Sequence, residues 1–211
     1  MNKELLSTLC EVVISDAQLH ARWLNSLSLM ENCGARKIAR AEHPVHTSTM
    51  LLKHAAEEFR HAYYLRKLIG KLGIPFEDSY ADEQLIAPKA TRYFLNELDI
   101  AICRMLIRDY NVSDKSDLIH GAYLLVTYAI EVRADFLYGT YQKVLSESGS
   151  NVNVKSIIAE EEGHLEEMRT MLIDYHPQWE ERAAKAIRIE EQLFDHWLFA
   201  IADELQVSVV S

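Results

Sequence analysis

Ala56-Glu57-Glu58-Phe59-Arg60-His61 recurs at a constant offset as Ala159-Glu160-Glu161-Glu162-Gly163-His164. The same offset carries Arg66 onto Arg169, Leu65 onto Met168 and Leu68 onto Met171. On a helix, residues three apart share one face, about a turn from each other. Glu58 with His61 therefore offers a carboxylate oxygen and an imidazole nitrogen to one ion, and Glu161 with His164 offers the same pair to a second. A single Glu-x-x-His is a weak signal, but two copies with matching flanks are a strong one. Spacing leaves the register open by one residue, because Glu57 and His61 are also a compatible i, i+4 pair. Glu57 and Glu160 lie about 100° round the helix from the favoured glutamates. They are read as solvent-facing or as supports for the ligands.

The chain around these motifs reads as six helices. The first spans about 3–41, with a break expected near Gly34. The second starts at Pro44, suited to a first helical turn, and stops at Gly73 with Pro75 beyond. Its apolar stripe is Leu51, Leu52, Ala55, Phe59, Ala62, Leu65 and Leu68. A loop over 74–84 leads to a helix over about 88–110, with Phe94, Leu98, Ala101, Met105 and Ile107 on its face. Residues 114–117 offer N-cap chemistry for a helix ending near Leu145. Ser146-Glu147-Ser148-Gly149-Ser150-Asn151 is a clear turn. Helices over about 154–175 and 179–205 follow, the last with Ile187, Leu193, Phe194, Trp197, Ile201 and Leu205 on one stripe.

Two more carboxylates follow from hairpin geometry. In an antiparallel helix pair, residues at one height are equally far from the turn. Reflecting Glu58–His61 through a turn at His43-Pro44 reaches residues 27–31, where Glu31 is the only acid. Reflecting Glu161–His164 through a turn at Glu147-Ser148 reaches 131–134, where Glu131 is the only acid. The expected metal ligands are Glu31, Glu58, His61, Glu131, Glu161 and His164. Four carboxylates balance two divalent ions. A nitrogen and oxygen set without thiolate suits two iron ions, with manganese as the other candidate.

Composition agrees with an all-α protein. Seven Gly and four Pro in 211 residues leave few turn-formers, and 49% hydrophobic residues supply a core. The formal net charge of −10 argues against a sequence-independent grip on nucleic acid. Cys10, Cys33 and Cys103 form no Cys-x-x-Cys, so a thiolate metal centre and a disulfide framework are unsupported. The absence of a signal-peptide core or an apolar spanning run points to the cytoplasm, with no membrane partner.

The ligand pattern Glu31, Glu58-x-x-His61, Glu131, Glu161-x-x-His164 resembles the ferritin-like di-iron carboxylate superfamily, which includes rubrerythrins, bacterial multicomponent monooxygenases and acyl-carrier desaturases. That resemblance covers about residues 10–175. It implies a four-helix bundle of two halves joined by a crossover, here about 74–117 and enlarged by one helix, with an added C-terminal helix over about 179–205. The whole of 1–211 is then one domain. It also implies that the glutamates of the Glu-x-x-His pairs bridge the metals. The chain lacks the cysteine-rich iron domain of rubrerythrin, so a separate electron-donor protein is expected.

The resemblance implies a di-iron oxidoreductase that activates dioxygen to oxidise a small apolar organic substrate. A ferroxidase or peroxide-scavenging protein without organic substrate is the other reading, and a non-catalytic helical interaction protein is a third. Catalytic residues are unassigned. Asp135, one turn after Glu131, is a candidate to orient a ligating imidazole. Tyr128, Tyr138 and Tyr64 are candidates for hydrogen bonding or redox contact with the centre, set against ordinary packing. His54 lies on the His61 stripe as a core or rim histidine. Trp23, Leu24 and Leu27 precede Glu31 as core or as apolar lining. The terminal helix, with Trp179 and Trp197, packs on the bundle or at a homodimer interface.

Overall fold

A computed structural model describes residues 2–42, 45–46 and 48–208. Seven α-helices succeed one another: α1 (Lys3–Ser15), α2 (Ala17–Ala41), α3 (Thr49–Ile69), α4 (Pro88–Tyr110), α5 (Lys115–Glu147), α6 (Lys155–Tyr175) and α7 (Trp179–Glu204). Single 3₁₀ turns occur at Gly70–Leu72 and Asp82–Gln84. No strand occurs among the described residues, and none of their helices is long and apolar enough to cross a membrane.

The expected first helix is two helices, and they divide at Asp16 rather than Gly34. Asp16 is extended (φ −126°, ψ 125°), and its carboxylate accepts the Leu19 N–H at 2.8 Å, capping α2. Gly34 sits inside an unbroken α2. A mid-helix glycine costs about 1 kcal/mol against alanine, and the burial of Ala35 and Ile38 beside it offsets that cost. The proposed turn at His43-Pro44 lies outside the described residues. The helix expected from Pro44 begins at Thr49, with the Ser48 hydroxyl accepting from the Leu51 N–H at 3.3 Å. Its end is as expected. After the 3₁₀ turn, Gly73 takes φ +68°, a conformation that glycine enters without a Cβ penalty.

The rotation of α3 differs from its expected apolar stripe. Leu52 and Phe59 are 49% and 45% exposed. The buried face instead carries His54, Ala55, Glu58, His61, Ala62 and Leu65. Three polar side chains thus occupy core positions; Ala55, Ala62, Leu65 and Leu68 of the expected stripe are buried with them, and Leu52 and Phe59 are its exposed members. On α4 the same kind of slip occurs: Ile107 is exposed and Leu106 is buried.

α2 packs along α3, and α5 along α6, so the chain forms the two expected helical hairpins. α7 lies against α4 and α5, and α1 against α5 and α2. The core has two large parts. One surrounds Trp23, Tyr141, Phe194 and Trp197, with Trp23 stacked on Trp197 at 5.5 Å between centroids. The other surrounds Leu98, Leu106, Leu125 and Leu172. The four acidic candidate ligands lie on α2, α3, α5 and α6 between these parts, flanked by Leu27, Leu65 and Leu137 in the first and by Ile38, Ala55 and Met168 in the second.

α7 is fixed to α5 by a buried ion pair. Arg133 donates through Nε and Nη2 to the two Glu190 oxygens at 2.8 and 2.6 Å, and its guanidinium lies 4.0 Å over the Phe194 ring. Both side chains are buried, so removing one partner strands a desolvated charge. Glu190→Leu is expected to cost about 3–5 kcal/mol in urea unfolding, and the double variant Arg133→Met/Glu190→Leu to regain most of that loss.

Candidate metal centre

Each hairpin brings one acid level with one Glu-x-x-His turn. Glu31 on α2 stands opposite Glu58 and His61 on α3; Glu131 on α5 stands opposite Glu161 and His164 on α6. Two groups of ligand atoms result, each within 4.8 Å of one another: Glu31, Glu58, His61, Glu161; and Glu58, Glu131, Glu161, His164. Glu58 and Glu161 belong to both groups. That is the placement two adjacent ions sharing two carboxylates require. Five of the six residues are buried, and Glu31 is partly so.

The imidazoles present Nδ1 to the cluster. His61 Nδ1 lies 3.1 Å from Glu161 Oε1, and His164 Nδ1 lies 3.2 Å from Glu161 Oε2 and 3.7 Å from Glu58 and Glu131. His61 Nδ1 is buried and makes no well-formed hydrogen bond despite that proximity. A buried ring nitrogen without a well-formed hydrogen bond, grouped with the carboxylates of Glu31, Glu58 and Glu161, fits a metal ligand better than a core histidine.

The Nε2 atoms settle the open register. His61 Nε2 meets Glu160 Oε2 at 2.8 Å, and His164 Nε2 meets Glu57 Oε2 at 2.7 Å. The bonds cross between the hairpins, so each motif helix supports the other's histidine. Glu57 is therefore outside the cluster and Glu58 inside it. Arg60 joins the two supports, at 2.5 Å from Glu160 and 3.7 Å from Glu57. A carboxylate on the remote ring nitrogen fixes the tautomer and rotation of the imidazole and leaves Nδ1 a lone pair for the ion.

Electrostatics show what the cluster lacks. Burial, followed by the neighbouring carboxylates, pushes Glu58 and Glu131 well above the usual carboxylate range. Burial also pushes Glu161 up, but bonds from Glu131, His164 and His61 outweigh it and hold this carboxyl low. Burial disfavours a proton on His164, yet Glu131 and Glu161 prevail and push its pKa up to about 11. Negative charge of this density in a buried site calls for cations, and protons fill that need where metal does not.

The remaining sequence candidates separate cleanly. Asp135 is exposed, and the task expected of it, orienting an imidazole, falls to Glu57 and Glu160. The Tyr128 ring stands edge-on to Trp179, and the Tyr64 hydroxyl donates to Asn153 O at 3.1 Å, so neither is bound to the cluster. Tyr138 is the tyrosine that reaches it, donating a short hydrogen bond to Glu31 Oε1. His54 is buried at the rim, with Nε2 at 2.7 Å from Glu167 and its ring 4.8 Å from His164. The one available signal for Glu57 and Glu160 was that the whole Glu-Glu doublet repeats, not only the ligating member.

Two cavities adjoin the cluster. A cavity of about 380 Å³ between α2, α4 and α5 has Glu58 and Glu131 in its lining. A smaller one of about 80 Å³ is lined by Glu31, Glu58 and apolar side chains that include Leu27, Leu137 and Phe194. Gly34 borders both. A Cβ there would touch Glu58 Oε2 at 3.7 Å, so the glycine leaves space directly beside a bridging candidate.

No protein-family model matches the chain, and no curated protein and no solved structure matches it.

The crossed supports make a specific claim about metal affinity. Glu57→Gln and Glu160→Gln are each expected to weaken binding of cobalt(II) by about 10–100-fold in competition with a chelator. Glu162→Gln, an exposed neighbour on the same helix, is expected to leave it unchanged.

Proposed function

We propose that the chain is a ferritin-like di-iron carboxylate oxidoreductase that activates dioxygen to oxidise a small apolar organic molecule. The observation that carries this reading is the pair of four-ligand groups sharing Glu58 and Glu161. Glu31 and His61 would hold one ion and Glu131 and His164 the other, with Glu58 and Glu161 available to both. Nitrogen and oxygen donors without thiolate suit iron, with manganese as its competitor. Bound as a ferrous pair, the metals supply the electrons and open positions for dioxygen reduction.

The protein's own residues provide the rest. Glu57 and Glu160 hold the imidazoles in register. Tyr138 donates a hydrogen bond to Glu31 Oε1, which restrains that carboxylate. The mainly apolar walls beside Glu31, Glu58 and Glu131 in the two cavities favour an organic substrate over hydrated iron as the molecule that enters. Reducing equivalents are assigned to a separate electron-donor protein.

Purified chain loaded anaerobically with ferrous ion is expected to hold about two irons. Its unfolding free energy is expected to rise by about 2.7 kcal/mol for each ion bound at a free metal concentration a hundredfold above Kd. Oxygen admitted to that sample should be consumed faster than by free ferrous ion, and Glu58→Ala/Glu161→Ala should abolish both effects. Failure to load metal leaves a helical interaction protein. Turnover of many ferrous ions per chain into ferric mineral indicates a ferroxidase.

A further inference from the structure

The larger cavity carries more chemistry than the metal reading uses. It runs along α5 from Glu131 to Ile119, a length of about 18 Å at the helical rise. A volume of about 380 Å³ over that length is narrow, suited to an extended chain rather than a fused ring system. Between its ends the lining is Ile38 on α2 and Ala122, Val126 and Ile130 on α5. At the outer end the character changes. Lys37, Arg40 and Asp99 line it there, and Lys37 is consumed by Asp99 and the Leu95 carbonyl on α4. Arg40 is exposed and carries no ion pair among the described residues, so one positive charge remains at the rim.

Tyr123 supplies the second observation. It lines the same cavity, is only 8% exposed, and its hydroxyl is buried with no hydrogen-bond partner. An orphaned donor in an apolar cavity is costly unless a ligand completes it. Burial, with Glu131 as a smaller contributor, pushes the phenol up to about 12, so it offers a proton and accepts none from a bound anion. Tyr123 stands two helical turns before Glu131, about 12 Å along the axis. Arg40 stands about 13 Å beyond Glu31 along α2. The cation and the orphaned hydroxyl are thus at similar distances from the ligand cluster.

We propose that this cavity binds an unbranched aliphatic carboxylate, its head group held by Arg40 and the Tyr123 hydroxyl and its tail running down to Glu58 and Glu131. The proposal rests on the metal reading only for what happens at the tail. The carbon nearest the cluster is then on the order of ten carbons from the carboxylate; on the metal reading its C–H bond would be the one hydroxylated, with dioxygen as oxidant, one oxygen atom inserted, and the other leaving as water with two protons and two electrons from the donor protein. A thioester or amide of the same chain lacks the charge that Arg40 reads, so the free acid is the ligand.

Isothermal titration of the purified chain with sodium decanoate and with decanol tests this, with and without loaded cobalt(II). Decanoate should bind more tightly than decanol. Arg40→Gln should weaken decanoate about tenfold and leave decanol unchanged. Tyr123→Phe should weaken both, since a carboxylate and an alcohol oxygen both accept its proton. Val126→Trp, which fills the channel, should abolish binding, with circular dichroism and cobalt uptake showing that the fold is retained. Equal affinity for decanoate in wild type and Arg40→Gln overturns the head-group assignment. Absence of decanoate binding by a chain that still takes up cobalt overturns the proposal and leaves the metal reading intact. Decanoate binding by a chain that takes up no metal does the reverse.

Discussion

Four glutamates, three of them buried, converge on one place in the bundle, and this concentration of negative charge is what the surroundings are arranged to hold. A buried carboxylate is costly unless paired. Each of these acids meets a histidine, another acid or a tyrosine, and the histidines in turn meet Glu57 and Glu160. The Tyr138–Glu31, His61–Glu160 and His164–Glu57 bonds each cross from one hairpin to the other. α3 and α6 are therefore joined across the centre by polar bridges: Lys53 and His54 to Glu167, Arg60 and His61 to Glu160, and Glu57 to His164. Apolar packing holds each hairpin together and seals both ends. The polar layer sets the separation and register of the hairpins.

This division explains which features were legible in the sequence. Hairpins are local, so mirroring Glu58 and Glu161 through their turns found Glu31 and Glu131, even though the first turn lies among residues outside the described set. Helix ends with a chemical stop, at Gly73, Pro88 and Asp114, came out within a residue or two. Features that depend on rotation about a helix axis did not. One residue is about 100° of rotation, and that separates Leu106 from Ile107 and Phe59 from Glu58; even the roughly 40° between Glu131 and Asp135 takes Asp135 from the buried face to an exposed one. A hydrophobicity pattern also errs wherever the core is polar, and α3 buries His54, Glu58 and His61. Asp16 was missed for another reason. Its carboxylate caps α2 without any glycine or proline to mark the break.

The ligands form a near-symmetric set, but their surroundings do not, and that difference bears on chemistry. Tyr138 follows Glu131 by seven residues and bonds to Glu31 across the bundle. The residue seven after Glu31 is Ile38, an aliphatic side chain in the lining of the larger cavity, where Glu131 is also found. Glu31 thus has a fixed hydrogen-bond donor from the protein, while Glu131 faces open apolar space. Gly34 extends that space to Glu58, and its counterpart three residues after Glu131 is Ala134, whose methyl group lines only the smaller cavity.

Two ions held by the same ligand types would therefore sit in unlike settings. The one beside Glu31 and His61 has its carboxylate restrained by Tyr138. The one beside Glu131 and His164 would have a carboxylate that borders the larger cavity, with room for its binding mode to change. A shift in coordination needs unfilled volume next to the ligand, because close-packed interiors resist side-chain movement. The larger cavity supplies that volume on the Glu58–Glu131 side. The duplicated motif would account for two metal sites, and the departures from duplication, Tyr138 against Ile38 and Gly34 against Ala134, place the larger open volume beside Glu58 and Glu131.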